Sequence, residues 1–321
     1  MERLGVCALK NLTNPCKQGA DHVLLFDLVP GESRRQISFA HGCISYAIAQ
    51  TTQTPSCGTI VLIHGVGSNA SRWEEFTEQT ALRHKWQILR LDLRGHGASE
   101  SKIKATLEQH ASDIVSMLDD AGVQKAILIG HSLGAQIAMR TAVLYPDRVT
   151  GVVLLDPLVT QALMPSVIAQ KKRRWILLGV EFFARLANAV GLKRRLPHYS
   201  LRQHDQRARE MLARGGDAMQ AFIKEYSSPF KDLEHIQIAH YVRDLLEVTR
   251  DTPAIETLDR PILVIGASSG TFTSADKMQT WVKSLRKGTW CVVNCFHWPL
   301  TECPKDVSQL IETWIQREFE Q

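Results

Sequence analysis

The sequence has 321 residues, of which 44% are hydrophobic and 22% are charged, and its formal net charge is +5 at pH 7. This composition is ordinary for a globular protein and excludes disordered and fibrous chains, while the length allows one large α/β domain or two smaller ones. No apolar run approaches the ~18 residues that a membrane span needs. The first residues lack the continuous apolar segment of a secretory signal, so we expect a cytoplasmic protein without a membrane span.

An early segment of the chain alternates in places between apolar and polar residues: DHVLLFDLVPGESRRQISFAHGCISYAIAQ (21–50). This pattern predicts an antiparallel hairpin or meander. Short β-branched runs bounded by turn residues follow at 58–65, 87–95, 125–132, 150–157 and 261–268. Segments of helical periodicity, such as 107–121, lie between most of them. The alternation predicts an α/β fold with a mostly parallel central sheet covered by helices on both faces.

Two glycine-containing turns follow predicted strands. In LIHGVGSN (62–69), Gly65 and Gly67 allow a loop to fold back over the sheet. In AILIGHSLGAQIAMR (126–140), Ser132 has the G-x-S-x-G spacing of a nucleophile elbow, between a strand and a helix. The backbone N–H groups of Val66, from the first turn, and Leu133, from the second, would form an oxyanion hole beside Ser132. The alternative interpretation is a turn serine between chance glycines.

After Pro157 the alternation is interrupted for roughly a hundred residues that read as several helices, much longer than an ordinary strand-to-helix connection. We interpret this stretch as an inserted helical cap. The predicted domains are a first part of the core at 1–157, a cap at 158–255 and a second part of the core at 256–321. The amphipathic segment KDVSQLIETWIQREFE (305–320) predicts a closing helix.

Four motifs occur in an order that resembles the α/β-hydrolase superfamily, from about residue 40 to the end of the chain. They are HGVGSNASRW (64–73), LDLRGHGAS (91–99), GHSLGA (130–135) and FHWPLTECP (296–304). The resemblance implies a capped serine hydrolase with Ser132 as nucleophile and His297 as general base. His297 follows a strand-like run and precedes the final helix, as the catalytic histidine of that family does.

The third member of the triad departs from the usual pattern of the family. Most relatives place an aspartate in the loop after the penultimate strand, where this chain has Ser269 and no carboxylate from Gly266 to Ala275. Some branches instead place the acid after the preceding strand, where this chain has Asp156. We therefore predict Asp156 as the acid that orients His297, although aspartate is common there even in relatives that use the later loop. We expect Asp92 to organise its own loop.

The residues of the predicted cap would help to select the substrate. Its segment WILLGVEFFARLANAVGL (175–192) offers an apolar face for an acyl or ring pocket, although packing against the sheet explains the same pattern. The predicted substrate-binding residues combine this face with residues of the motifs: His64, Gly65, His131, Trp175, Phe182, Phe183 and Trp298.

Basic residues are concentrated in the same region: residues 161–220 hold twelve Lys or Arg against four Asp or Glu. This excess would attract an anionic partner, such as an acyl carrier protein, a coenzyme A thioester, a carboxylate-bearing ester or a membrane surface. The alternative is a set of ordinary solvated helix faces. Nucleic acid is excluded as a partner because no binding motif accompanies the charge.

The function predicted from the sequence is a serine hydrolase that cleaves a carboxylic ester, thioester or lactone through an acyl-enzyme. Two alternatives stay open: an acyltransferase, cyclase or C–C hydrolase on the same site, and a non-catalytic ligand-binding protein on a hydrolase scaffold. We expect no cofactor and no metal, because neither the histidines nor the seven cysteines fall at ligand spacing.

Overall fold

The structure is a computed structural model and describes residues 26–51, 56–194, 196–197, 199–226 and 228–320, without the side chains of 219, 220 and 225. The predicted N-terminal hairpin is confirmed within this part of the chain, whereas residues 21–25 of the alternating segment lie outside the described residues.

Within the described residues, eight strands form one sheet in the order β1-β2-β4-β3-β5-β6-β7-β8. In this sheet β2 is antiparallel to both of its neighbours, β1 and β4, and the strands from β4 to β8 are parallel. The strands are β1 (Glu32–Phe39), β2 (Gly42–Ala49), β3 (Gly58–Ile63), β4 (Trp86–Leu91), β5 (Ala126–His131), β6 (Val149–Leu155), β7 (Ile262–Ala267) and β8 (Gly288–Val293). Each of the five short β-branched runs of the sequence matches one of the strands β3 to β7, and β4 and β6 begin one residue earlier than their runs.

Twelve α-helices lie within the described residues. They are α1 (Glu74–Gln79), α2 (Leu107–Asp120), α3 (Leu133–Leu144), α4 (Pro165–Lys171), α5 (Arg174–Ala189), α6 (Leu201–Arg214), α7 (Gly216–Tyr226), α8 (Pro229–Asp232), α9 (Ile238–Val248), α10 (Ala275–Ser284), α11 (Pro299–Glu302) and α12 (Pro304–Phe319). The predicted helix at 107–121 and the predicted closing helix correspond to α2 and α12.

Both faces of the sheet are covered by helices, as the sequence predicted. Because side chains alternate along a strand, Val61 and Leu128 pack on one face with α2, α3 and α10, and Ile60 and Ile127 pack on the other with α1 and α12. The parallel strands are therefore apolar in both directions. Helices α4 to α9 lie between β6 and β7 in the sequence.

Candidate active site

The site lies where adjacent parallel strands end. His131 of β5 pairs with Leu155 of β6, so the next residue of each strand, Ser132 and Asp156, emerge side by side at the carboxyl edge of the sheet. Ligands of open α/β sheets bind at this edge. The loop after β8 brings His297 to the same place.

The turn at Ser132 is tight, and two glycines allow it. A Cβ added at Gly130 would lie 2.2 Å from the carbonyl oxygen of Gly134, and one added at Gly134 would lie 2.2 Å from the carbonyl oxygen of Ile63. The glycines are therefore required by close backbone approach between β5, α3 and β3. Ser132 itself has φ +51° and precedes the first residue of α3, where the helix dipole favours negative charge.

Two hydrogen bonds connect the three residues in a line. His297 Nε2 lies 3.1 Å from Ser132 Oγ, and His297 Nδ1 lies 2.6 Å from Asp156 Oδ2. All three residues are buried. The other carboxylate oxygen of Asp156 accepts a hydrogen bond from the N–H of Ala267 at 3.3 Å. A carboxylate held in this way fixes the tautomer of the imidazole and leaves Nε2 free to accept the proton of the hydroxyl.

Neighbouring groups hold the backbone around His297. The Glu302 carboxylate accepts hydrogen bonds from the N–H groups of Phe296 and Trp298, at 2.9 and 3.1 Å. The Nε2 of His131 is 2.8 Å from the His297 carbonyl oxygen. Burial is the main cause that lowers the pKa of His131 to about 3, and the nearby His297 lowers it further. The ring is therefore neutral and donates a hydrogen bond to that carbonyl oxygen.

The loop after β3 lies over Ser132. A Cβ at Gly65 would lie 3.4 Å from Ser132 Cβ, so the loop approaches the serine closely. In the described part of the chain, no hydrogen bond is formed by the N–H of Val66 or of Leu133. Two unused N–H groups flanking a nucleophile are suited to hold an oxyanion.

The ring of His64 holds this loop through two hydrogen bonds. Its Nδ1 lies 2.9 Å from the Gly65 carbonyl oxygen, and its Nε2 accepts the N–H of Leu93 at 3.0 Å. Burial lowers the pKa of His64 well below its usual range, which keeps the ring neutral between these two partners. Asp92 accepts the N–H groups of Ala70 and Ala98 at 2.7 and 2.8 Å, so it organises its own loop.

A cavity of about 380 Å³ opens over Ser132 and His297. This volume is within the usual range for small-molecule sites. Its apolar wall includes Val66, Leu158, Val167, Leu177, Leu245, Leu246, Phe272 and Trp298, and its polar wall includes Arg72, Lys171, Arg174, Tyr199, Tyr226, Lys231, Asp232 and Tyr241. Most of these residues come from the segment between β6 and β7.

The turn between α8 and α9 lies directly over the loop after β3. The Nε2 of His235 is 2.9 Å from the Gly67 carbonyl oxygen, and a Cβ at Gly67 would lie 2.4 Å from Asp232 Cγ. Burial raises the pKa of Asp232 to about 7, while a hydrogen bond from Tyr241 opposes the rise. The cavity therefore holds a carboxyl group that titrates near neutral pH.

The structure brings some of the predicted substrate-binding residues to the cavity and not others. His131 and Trp298 line it. His64 and Gly65 are buried and do not line it, whereas the next residue, Val66, does.

The prediction that the aromatic side chains of α5 form the pocket is wrong. Trp175, Phe182 and Phe183 are 69%, 64% and 68% exposed and do not line the cavity. The alternative of packing against the sheet also fails. Helical periodicity identified the apolar face correctly but could not tell which way it points.

Sequence reasoning missed the buried Arg72, which lines the cavity. It forms an ion pair with Asp205 of α6 and a hydrogen bond of 2.5 Å to Thr301 Oγ1. Burial alone would lower the pKa of Arg72, but the neighbouring groups, Asp205 foremost, together more than offset this effect, and the pKa is raised. Arg72 lies inside the quoted motif at 64–73, but nothing in a single sequence pairs it with residues more than a hundred positions away.

No group of three or more His, Cys, Asp or Glu side chains in the described residues could hold a metal ion. No helix in those same ranges is long and apolar enough to cross a bilayer.

Comparisons with known proteins agree with the fold. A family model described as the alpha/beta hydrolase fold matches residues 58–302. The sn-1-specific diacylglycerol lipase ABHD11 of Danio rerio is 31% identical over 97 residues, which is 30% of this chain and 31% of the relative. The Abhydrolase domain-containing protein C22H12.03 of Schizosaccharomyces pombe is 24% identical over 259 residues, which is 80% of this chain and 91% of the relative.

The chain spans only part of several relatives. The alignments to six relatives with 30–34% identity cover between 25% and 40% of each relative's own length. Among solved structures, a thermophilic esterase from Thermogutta terrifontis has a TM-score of 0.63 at 21% identity, covering 89% of this chain and 99% of that one. This likeness concerns the fold, which hosts more than one chemistry.

Proposed function

Because the chain belongs to the α/β-hydrolase family, we propose that it hydrolyses a carboxylic ester, thioester or lactone through a covalent acyl-enzyme. The observation that carries the proposal is the line of two hydrogen bonds from Ser132 Oγ through His297 to Asp156, at the floor of a cavity.

In the proposed first step, Ser132 Oγ attacks the carbonyl carbon of the substrate and its proton passes to His297 Nε2. The carbonyl oxygen becomes an oxyanion, which accepts hydrogen bonds from the N–H groups of Val66 and Leu133. Asp156 stabilises the imidazolium through Nδ1–H and stays ionised throughout. A donor of this kind lowers the barrier by about 3–4 kcal/mol.

The leaving group then takes the proton from His297 Nε2 as the bond to the carbonyl carbon breaks. A water molecule gives a proton to His297 and attacks the acyl carbon of Ser132. Collapse of the second tetrahedral intermediate returns the proton to Ser132 Oγ and releases the carboxylic acid. The apolar wall of the cavity suits an acyl chain, which is why we favour a lipid-like acyl group.

The position of the acid is the part of the proposal that a pair of variants tests. We expect Asp156→Asn to lower kcat by about 10³- to 10⁴-fold, because the neutral amide no longer fixes the tautomer of His297 or stabilises its cationic form. The matched control is Ser269→Ala, at the place where most relatives carry the acid. We expect this control to leave kcat within about twofold of the wild type, because the Ser269 hydroxyl bonds to Thr271 and is exposed.

The measurement is labelling by a fluorophosphonate probe, read by intact mass, together with hydrolysis of p-nitrophenyl esters of increasing chain length. We expect one adduct on the wild type and none on Ser132→Ala. An unlabelled, inactive wild type would favour a ligand-binding protein on this scaffold. An acyl product transferred to an added alcohol in place of water would favour acyl transfer.

A further inference from the structure

Helix α5 has its apolar side on the outside of the molecule. Trp175, Phe182, Phe183, Leu186 and Val190, which directly follows the helix, are between 53% and 69% exposed. Their spacing of three, four, seven and eight residues places them on one face of the helix. We call this set the outer face of α5. Contiguous exposed apolar surface of this kind marks an interaction site.

The inner face of the same helix is polar and fixes the orientation. Glu181 is 1% exposed and forms ion pairs with Arg185 of the same helix and with Arg243 of α9. Arg243 also forms an ion pair with Glu247, in which Nη1 lies 3.4 Å from Oε1. Rotating α5 to bury its aromatic side chains would pull Glu181 away from Arg243 and leave buried charges unpaired, which is strongly unfavourable. The outward direction of the apolar face is therefore built into the packing.

Cations stand at both ends of the outer face. Lys172 and Arg173 are exposed just before α5, and Lys193 and Arg194 are exposed after it. None of these four side chains forms an ion pair within the described residues. Between residues 161 and 194 the sequence has one acidic residue, the buried Glu181. An apolar stripe flanked by unpaired cations is the pattern of a helix that lies in a membrane interface.

The charge also argues against a second copy of this chain as the occupant. In a two-fold dimer through the outer face, the cations at the ends of one α5 would meet the cations of the other, whichever way the helices run. Anionic lipid head groups complement the same charges and cover the apolar stripe with acyl chains. Because α5 has 16 residues and carries charges at its ends, it is suited to lie on a bilayer, not to cross it.

We propose that the outer face of α5 is a docking surface for anionic membranes. The first turns of α5 also contribute Arg174 and Leu177 to the wall of the cavity over Ser132. Docking through this helix would place one wall of the cavity at the lipid surface. The docking is independent of the proposed function, although together the two would give the site direct access to membrane esters.

The test is flotation of the 321-residue chain with vesicles of phosphatidylcholine alone or with phosphatidylglycerol added. We expect the protein to float with the anionic vesicles and much less with the neutral ones, and 0.5 M salt to reduce the bound fraction because it screens the cations. We expect Phe182→Ser/Phe183→Ser to weaken partitioning by at least about tenfold.

Two matched controls separate this surface from general effects. Leu144→Ser removes an exposed apolar side chain of α3, and we expect it to leave partitioning unchanged. Lys172→Gln/Arg173→Gln should weaken binding to anionic vesicles, whereas Lys277→Gln/Lys283→Gln, on α10, removes the same charge elsewhere and should not. Circular dichroism checks that each variant is folded.

Three results would overturn the proposal. One is a wild type that does not float with anionic vesicles. Another is an equal loss of flotation in the α5 variants and their controls. The third is a stable dimer, seen by light scattering, that Phe182→Ser/Phe183→Ser converts to a monomer. Ser132→Ala should bind vesicles like the wild type, so failed docking and failed catalysis give different results.

Discussion

Asp232 shows how a single side chain in the cavity responds to its surroundings. Its carboxyl group lies against Gly67 beside the proposed oxyanion loop, and burial raises its pKa from 3.8 to about 7. In the unfolded chain the same group loses its proton near its ordinary pKa. Between these two values the folded state holds a proton that the unfolded state has lost, so this group makes the protein less stable as the pH rises.

We expect Asp232→Asn to cancel this dependence. The melting temperature of the variant relative to the wild type should rise between about pH 4 and pH 7, and should be level above that range. Thermal melts across pH 4 to 8 measure the difference. A constant difference over the whole range would mean that the carboxyl group is already ionised in the folded state at low pH.

At the scale of secondary structure, the meeting of β5 and α3 sets the position of Ser132. The closeness of the two elements depends on the glycines, since backbone atoms that would clash with a Cβ cannot move aside as a flexible side chain can. Other glycines of the chain have no such neighbours. Gly179 in α5 has no atom within 4 Å of the position of a Cβ.

We expect Gly130→Ala to lower the free energy of unfolding by about 1–3 kcal/mol or more, because the added methyl group forces β5 and α3 apart. Gly179→Ala is the control, and we expect it to stabilise the protein by about 0.5–1 kcal/mol, since alanine has the higher helix propensity. Urea unfolding of the two variants gives both values. A neutral effect of Gly130→Ala would show that the elbow can relax.

The elements differ in how much of them could be predicted from the sequence. Each short β-branched run matches a strand to within one residue at its start, because a parallel strand is buried on both faces and leaves a continuous apolar signature. Ser132 and His297 were predicted from motifs after strands, and Asp156 was predicted because the usual place of the acid has no carboxylate. The direction of α5 was not predictable, because the Glu181–Arg243 pair that holds it joins residues far apart in the chain. The division at 157 and 255 stays a prediction.

At the scale of the whole molecule, a buried ion pair connects the helical segment between β6 and β7 to the elements around the sheet. Arg72 follows β3, Asp205 belongs to α6, and Thr301 belongs to α11 beside the His297 loop, and all three meet through hydrogen bonds. The side chains of Arg72 and Asp205 are 8% and 6% exposed. Removing one of two such charges leaves the other buried and unpaired.

We expect Asp205→Ala to lower the free energy of unfolding by about 3–5 kcal/mol. The pair between Arg202 and Glu78 also joins α6 to the rest of the molecule, but both of its side chains are 34% exposed. Arg202→Gln should therefore change stability by less than about 1 kcal/mol. Equal effects of the two variants in urea unfolding would show that burial gives the Arg72–Asp205 pair no extra part in holding α6 to the rest of the molecule.

Ser132 and Asp156 share a feature with a consequence for how this chain evolves. They are the two non-glycine residues with positive φ in the described ranges, at +51° and +40°. Such conformations cost about 1–3 kcal/mol each, and glycine would adopt them with less strain. If only thermal stability were selected, substitutions to glycine would therefore be favoured at both positions. A related protein that kept the fold but not the activity would be free to replace Ser132 and Asp156. This chain has kept both residues.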